Sequence, residues 1–345
     1  MVCASCAFFT FASAAEDPPH LSDGRFHNNY TDDAHGGFWL WKWEQLREGV
    51  PKPPPGGWKI PHMKADAAAL RANTTQPTVT WIGHATFLLQ LAGLNILTDP
   101  QFSQRASPVQ FAGPRRIVPL PIEIEELPRI DVVLVSHNHY DHLDVDTVKR
   151  LAAREGGGPR FLVPLGLKSW FARLGIDKVS EYDWWQTHTE GPARFTLLPV
   201  QHWSKRTLWD TNKTLWGGWA IEGNGLKILH TGDLGYSKDA RDIGERAGPF
   251  DLALIPIGAY APRWFMKMMH LDPAEALQVR ADVHASRAIG MHWGTFENLT
   301  DEAMDEPPRE LAAKRSALGL APDAFDVMKV GETRSIEQGD AHARP

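Results

Sequence analysis

From residue 78 onward, the chain alternates short apolar segments with polar or glycine-rich turns, a pattern typical of β-strands. The apolar segments come in close pairs at first, and helical segments are interspersed among the later ones. Strands are predicted at 78–82, 86–91, 94–98, 131–136, 161–164, 195–200, 217–222, 226–231, 251–257 and 287–292. Strand pairs followed by mixed strands and helices predict an α/β protein whose sheets are covered by helices.

Helices are predicted at about 144–154, 167–174, 239–246, 273–285 and 308–318. The fourth begins in the sequence LDPAEAL, which offers Asp272 as an N-cap and Pro273 in the first turn. We therefore predict a folded domain over 78–336, followed by a C-terminal tail at 337–345.

The first part of the chain has a different composition. Residues 16–77 are rich in Pro, Gly, Asn and Asp, and we predict an N-terminal extension there. Within it, GGFWLWKWEQLREG at 36–49 predicts a short aromatic helix. Its aromatic residues cover more than one face, so the spacing leaves two interpretations open: packing on the domain surface, or contact with a membrane interface, where Trp is favoured.

Residues 1–15, MVCASCAFFTFASAA, are small and apolar, and ASA at 12–14 has the form of a signal-peptidase site. No Lys or Arg precedes the apolar run, so two interpretations stay open. A signal peptide would place the protein in the periplasm or outside the cell, whereas a plain tail would leave it in the cytoplasm at a membrane. No transmembrane helix is predicted, because no apolar run of 18 residues follows.

The composition limits which residues can bind a metal and which partners are expected. The cysteines, Cys3 and Cys6, both lie in the first segment, so any metal ligand in the folded part must be His, Asp or Glu. The net charge is −6 and no basic run is present, which argues against a nucleic-acid partner. The chain has 14 tryptophans. One group of them is predicted to pack in the core: Trp203, Trp209, Trp216 and Trp219.

The densest polar stretch is VSHNHYDHLD at 135–144, directly after the buried strand IDVVLVS. His137 and His139 are two residues apart, so an extended backbone points both the same way, and Asp141 and His142 follow in the turn. Burying such groups without a partner is costly. His and carboxylate ligands at the end of a strand therefore predict a metal site.

Further residues of ligand type stand in equivalent places. His202, Asp233 and His292 each come just past the end of a predicted strand. One ion needs about four ligands, so the whole set suggests two ions. Asp99 in NILTDP is predicted to accept a hydrogen bond from a ligand imidazole, since metal-bound histidines usually donate their other N–H to such a group.

The motif HxHxDH at 137–142, with His202, Asp233 and His292, resembles the metallo-β-lactamase superfamily. The blocks WIGHATF, QHWSKRTLWD, IPIGAYAPRWFMK and MHWGTFEN are similar to the N-acyl-phosphatidylethanolamine-hydrolysing phospholipase D family, and the resemblance runs from about 78 to about 334. It implies an αββα sandwich with a dinuclear site at one edge, usually of zinc; iron or manganese would suit the same ligands.

The resemblance also implies a role for each site residue. The first ion would take His137, His139 and His202, the second Asp141, His142 and His292, with Asp233 as the bridge. It implies that three more residues line the pocket near the phosphate: Gln110, Tyr140 and His270.

The implied activity is hydrolysis of N-acyl-phosphatidylethanolamine to N-acylethanolamine and phosphatidic acid. A metal-bridged hydroxide would attack phosphorus, with Asp141 and Asp233 as catalytic residues. The expected partners are a phospholipid substrate, a membrane surface and a second copy of the chain in a homodimer. In the segment 263–270, Arg263 and Lys267 would face headgroups while the apolar residues enter the interface or fill the core.

Two other functions stay open. A lactonase, or another hydrolase of the same fold with a small substrate, would carry a similar site. Alternatively, a lipid- or envelope-binding protein would keep the metal for stability alone.

Overall fold

The computed structural model describes residues 18–31 and 37–339. Its strands are β1 (Leu21–Ser22), β2 (Arg25–Phe26), β3 (Thr78–Gly83), β4 (Thr86–Leu91), β5 (Leu94–Thr98), β6 (Val132–Leu134), β7 (Arg160–Pro164), β8 (Val179–Tyr182), β9 (Thr187–Glu190), β10 (Ala193–Leu198), β11 (Gly218–Gly223), β12 (Leu226–His230), β13 (Phe250–Pro256), β14 (Ala285–Met291), β15 (Phe325–Val327) and β16 (Thr333–Ser335). Its helices are α1 (Phe38–Glu48), α2 (Ala67–Ala72), α3 (Val145–Ala152), α4 (Lys168–Ala172), α5 (Asp239–Ala247), α6 (Arg263–Met266), α7 (Pro273–Asp282) and α8 (Glu306–Ala317).

Two seven-stranded sheets form the body of the molecule, with strand orders β16-β3-β4-β5-β6-β7-β8 and β15-β14-β13-β12-β11-β10-β9. Each sheet is mixed. The hairpin strands β3, β4 and β5 pair antiparallel, and β5 to β8 pair parallel. The other sheet has antiparallel pairs from β9 to β12 and parallel pairs from β12 to β15.

The core lies between the two sheets and beneath the helices. In β6, Val132 and Leu134 join the cluster that contains strands of both sheets, whereas Val133 joins a second cluster with Val148 and Leu151 of α3. Successive side chains point to opposite faces of a strand, so β6 is covered by a sheet on one side and by a helix on the other. The α/β sandwich predicted from the sequence is confirmed.

Each predicted strand and helix has a counterpart in the structure, and the aromatic segment forms α1. The N-cap prediction also agrees: the Asp272 carboxylate accepts from the backbone N–H groups of Ala274 and Glu275, and Pro273 is the first helical residue. Two helices, α2 and α6, and six short strands were not predicted from the sequence; these strands are β1, β2, β8, β9, β15 and β16. All six lie at sheet edges, where polar sequences such as THTE (β9) and TRS (β16) carry no apolar pattern.

One core prediction was wrong. Trp216 and Trp219 are fully buried, but Trp209 is 78% exposed. Trp209 lies in a polar turn in which the Asp210 carboxylate accepts hydrogen bonds from the backbone N–H groups of Arg206 and Thr207. This turn holds the Trp209 side chain in solvent.

The N-terminal extension packs on the domain: the Met63 N–H donates to the Val330 carbonyl and the Ala65 N–H to the Pro121 carbonyl. The predicted signal peptide lies outside the described residues. Among the helices of 18–31 and 37–339, none is long and apolar enough to cross a membrane.

Candidate metal centre

The candidate ligands lie close together because the strands that precede them end at the same edge of the sandwich. The parallel strands β5 and β6 end at one edge of their sheet, and Asp99 and the 137–142 loop follow them. In the facing sheet, β12 and β14 also run in one direction, and Asp233 and His292 follow their ends. The sandwich therefore gathers residues that are far apart in sequence at one edge.

Three histidines form the first donor group. His137 Nε2 lies 2.9 Å from His139 Nδ1, and His202 Nε2 lies 3.4 Å from the same His139 atom. The three ligand atoms lie close enough to one another to hold one ion. This group has the same members as the ligand set that the family resemblance implies for the first ion.

The second donor group contains Asp141, His142 and His292. Asp141 Oδ2 lies 3.7 Å from His142 Nε2 and 3.4 Å from His292 Nε2. These three residues also meet the geometric condition for holding an ion, and His84 meets it with them.

Asp233 lies between the two groups. Its Oδ2 is 3.1 Å from His142 Nε2, 3.0 Å from His292 Nε2 and 4.0 Å from His137 Nε2. This carboxylate therefore reaches both donor groups, as expected for a bridge.

The residues present fit a pair of divalent ions. Two buried ligand atoms without a hydrogen-bond partner face Asp233 Oδ2 at the centre: His142 Nε2 at 3.1 Å and His292 Nε2 at 3.0 Å. Ligand atoms around a tetrahedral ion with bonds of 2.0–2.2 Å stand about 3.3–3.6 Å apart. In the second group, Asp141 Oδ2 lies 3.4 Å from His292 Nε2 and 3.7 Å from His142 Nε2, which is close to that spacing.

Neighbouring histidines stabilise the ionised forms of the Asp141 and Asp233 carboxylates. Burial alone would raise the pKa of Asp141 and of Asp233, but the neighbouring His142 holds both well below the usual range. Burial would likewise lower the pKa of His292, yet Asp233 raises it to about 9. Both carboxylates are therefore anionic at neutral pH and available to a cation.

The first group is held in the neutral state. Burial lowers the pKa of His137 and His202 well below the ordinary value, and it lowers that of His139 to about 4. A neutral imidazole has a free nitrogen lone pair, which is the form that binds a metal.

Hydrogen bonds on the far side of the rings fix which nitrogen faces the centre. Asp99 Oδ2 lies 2.8 Å from His142 Nδ1, and the Ser136 hydroxyl donates to the same carboxylate oxygen over 2.7 Å. Because that hydroxyl has given its only proton to Asp99, it accepts from His137 Nδ1 at 2.9 Å. Nε2 of both rings is thus left for a metal.

The residues expected to line the pocket differ in position. His270 reaches the centre, with Nδ1 3.9 Å from Asp233 Oδ2. The Tyr140 hydroxyl donates to the Arg206 carbonyl over 2.9 Å, and the Arg206 guanidinium lies 4.0 Å from the ring. Gln110 is exposed in a loop, where its Oε1 accepts the Arg105 N–H. The phosphate contacts expected for these side chains stay a prediction.

Two residues that support the centre were not predicted from the sequence: His84 and Arg206. His84, in the turn between β3 and β4, places Nε2 2.9 Å from Asp141 Oδ2. Arg206 donates from Nη1 to the carbonyls of Asn138 and Leu143, each over 2.7 Å, and so clamps the HxHxDH loop at both ends. His84 lies in the block WIGHATF. Its position in a tight turn between two predicted strands is the feature of the sequence that could have identified it as a site residue.

Comparisons with known proteins agree with this architecture. A family model described as a beta-lactamase superfamily domain matches residues 94–293. Igni18, a metallo hydrolase from Ignicoccus hospitalis, superposes with a TM-score of 0.57 at 23% identity, over 76% of this chain and 99% of that one. The fold and the family model define the chain as a metal-dependent hydrolase of the β-lactamase superfamily.

Sequence relatives identify the family within this superfamily. The N-acyl-phosphatidylethanolamine-hydrolyzing phospholipase D 1 of Caenorhabditis elegans is 43% identical over 264 residues, which cover 73% of this chain and 74% of that protein. A mitochondrial protein of the same description from Saccharomyces cerevisiae is 40% identical over 239 residues, 67% of this chain and 50% of that protein. The chain belongs to the N-acyl-phosphatidylethanolamine-hydrolysing phospholipase D family.

The fold alone leaves the reaction open. CmlA of Streptomyces venezuelae, a diiron beta-hydroxylase, superposes with a TM-score of 0.56 at 21% identity, over 76% of this chain and 54% of that one. The metal and the substrate must therefore be argued from the residues of the site.

Proposed function

We propose that this protein hydrolyses N-acyl-phosphatidylethanolamine to phosphatidic acid and an N-acylethanolamine with two Zn²⁺ ions. The observation that carries the proposal is the pair of donor groups that share Asp233, in a chain 43% identical to the C. elegans phospholipase. Histidine and carboxylate ligands suit zinc, and iron or manganese would suit them too.

His137, His139 and His202 hold one ion in this proposal, and Asp141, His142 and His292 hold the other, with Asp233 between them. When bound, two divalent ions activate a water and neutralise the charge of a phosphodiester. The separate roles of the carboxylates follow from their positions: Asp233 bridges the two groups, whereas Asp141 contacts the second group alone.

The bond that breaks joins phosphorus to the ethanolamine oxygen. Water supplies the new oxygen on phosphorus, and the ethanolamine oxygen takes a proton as it leaves. His270 borders the centre with an unpartnered Nδ1, at the right place to hydrogen-bond a phosphate oxygen. Arg263 fixes this histidine by donating to the His270 carbonyl over 2.8 Å, so its guanidinium is engaged within the protein rather than with a headgroup.

A lipid surface is the proposed partner. The helix α1 exposes large apolar side chains: Phe38, Trp39, Leu40, Trp43 and Leu46. Trp264 of α6 is half exposed and its indole N–H donates to Glu44, so α1 and α6 present one aromatic surface. Trp favours the headgroup boundary of a bilayer, and α6 leads directly to His270.

The test is mass spectrometry of the products from a panel of N-acyl-phosphatidylethanolamine, phosphatidylethanolamine, phosphatidylcholine and a sugar lactone. Zinc-loaded protein is compared with Asp233→Asn, a substitution of nearly the same size. The proposal requires N-acylethanolamine and phosphatidic acid from the unsubstituted protein alone. Intact lipids beside an opened lactone would instead establish a small-substrate hydrolase.

Location and assembly are parts of the same proposal. Export to the periplasm would bring the protein to a membrane, and a cytoplasmic protein would reach it through α1. Mass determination of the N-terminus in a cell extract distinguishes the two. The homodimer expected from the family stays a prediction, which analytical ultracentrifugation measures.

A further inference from the structure

The backbone at His84 adopts a conformation that side chains rarely take. Its φ is 55°, in the left-handed region, and His292 has a φ of 62°. Such conformations persist where surrounding contacts enforce them, and they concentrate at functional sites. Here the Thr295 hydroxyl accepts the His84 N–H over 2.8 Å, and the His84 carbonyl accepts the His292 N–H over 3.1 Å.

The strained turn aims the His84 ring at Asp141. Nε2 lies 2.9 Å from Asp141 Oδ2, and the side chain is 2% exposed. An ionised carboxylate only accepts hydrogen bonds, so the ring nitrogen that faces it carries the proton. The ring of His84 also lies 3.8 Å, between centroids, from the ring of His292.

His84 is better placed as a hydrogen-bond donor than as a metal ligand. The second donor group already has four members once Asp233 is counted, so it offers enough protein ligands for one ion without His84. Each carboxylate oxygen offers two lone pairs, so Asp141 Oδ2 has room for an ion and for one N–H.

We propose that His84 is a positioning residue for the second ion: its Nε2–H holds the Asp141 carboxylate, while its backbone carbonyl holds His292. His84 touches Asp141, His142 and His292, and these contacts all belong to one donor group. Loss of the side chain should therefore weaken one ion and spare the other. The inference rests on the two-ion centre of the proposed function.

The experiment measures zinc binding to the metal-free protein in competition with a chelating indicator. His84→Leu keeps the bulk of the ring and removes the donor, whereas His84→Gln returns an N–H near the position of Nε2. Loss of such a partner of a metal ligand typically costs 10–100-fold in affinity. We expect one of the two zinc constants to fall by about 10–100-fold in His84→Leu and by less than about threefold in His84→Gln, with the other unchanged.

The matched control is His188→Leu, a partly buried histidine on β9 whose Nδ1 pairs with the Tyr182 hydroxyl at 2.7 Å. It should bind both ions as the unsubstituted protein does. Thermal melting of each metal-free variant verifies that it is folded, and His84→Ala repeats the test with a smaller side chain.

Equal weakening of both ions, no weakening of either, or a His84→Gln protein as defective as His84→Leu would each overturn the inference. The readout needs no lipid. If His84→Leu loses one ion while the unsubstituted protein cleaves no lipid, the inference stands and the proposed reaction is refuted. If the unsubstituted protein binds fewer than two ions, the proposed centre is refuted.

Discussion

The backbone carbonyl of Met269 accepts the Nδ1–H of His202 over 3.0 Å. Met269 is also buried in the small apolar cluster that Trp41 of α1 shares with Met266. One residue thus contacts both the surface helix and a proposed zinc ligand, so the way α1 docks bears on the geometry of the centre.

Trp41→Ala should loosen this docking. Trp41 stacks on Phe265 with ring centroids 4.9 Å apart, and its indole donates to Asp301 over 2.7 Å. Removing a buried Trp costs about 3–5 kcal/mol when the site does not collapse, so we expect a loss of about 3 kcal/mol in the free energy of unfolding. Urea melts check it. Trp41→Phe, which keeps the stacking, should lose less, and an unchanged midpoint for Trp41→Ala would contradict the packing described.

The exposed face of α1 should govern binding to lipid. Trp39 and Trp43 are 83% and 59% exposed, so their replacement in Trp39→Ser/Trp43→Ser should leave the fold intact. Burial of a large apolar side chain is worth about 1.5–3 kcal/mol, so we expect vesicle binding to weaken by at least about tenfold. Sedimentation with N-acyl-phosphatidylethanolamine vesicles measures it. Leu318→Ser, at an exposed apolar residue after α8, is the control, and equal binding of both variants would refute a role for α1.

The metal-free protein should be most stable near pH 6.5. The pKa of His292 is raised to about 9, so its stabilisation is complete below the unfolded value of about 6.5 and is lost as the pH rises towards 9. Burial lowers the pKa of His139 to about 4, so that group destabilises the fold as the pH falls from 6.5 towards 4. Melting temperatures between pH 4 and 9 test both arms. A curve that keeps rising up to pH 9 would contradict the alkaline arm.

Arg206 should be essential to the HxHxDH loop. Arg206→Met keeps the length of the side chain but leaves the carbonyls of Asn138 and Leu143 without their donor. Hydrogen bonds to charged groups are worth about 1.5–3 kcal/mol each, so we expect a loss of about 3 kcal/mol in stability and weaker zinc binding. Arg194→Met removes an exposed ion pair with Glu222 and should cost less than about 1 kcal/mol. Equal effects would show that Arg206 has no special role.

Much of this architecture could be predicted because the core strands carry a continuous apolar signal. β6 and β4 are buried on both faces, and ligand-type residues stand where such strands end. Edge strands carry no such signal: β16 is recognisable only through its pairing with β3. Likewise, Trp209 shares its residue type with Trp216, but the turn around Asp210 directs it to solvent.

The ligand-type residues 137–142, His202, Asp233 and His292 could be named from sequence because they cluster in one motif or follow strands. His84 and Arg206 could not. His84 acts through a left-handed backbone in a turn, and Arg206 through contacts with carbonyl oxygens, which are features of geometry rather than of residue pattern. Residues that orient the metal ligands are therefore harder to predict from sequence than the ligands themselves.

The most direct test of the proposed reaction is hydrolysis of N-acyl-phosphatidylethanolamine vesicles in water enriched in ¹⁸O, with both products analysed by mass spectrometry. Attack of water on phosphorus with loss of the ethanolamine oxygen predicts one ¹⁸O atom in phosphatidic acid and none in the N-acylethanolamine. Label in the N-acylethanolamine, or in a released fatty acid, would contradict the account, because it would place the broken bond away from phosphorus.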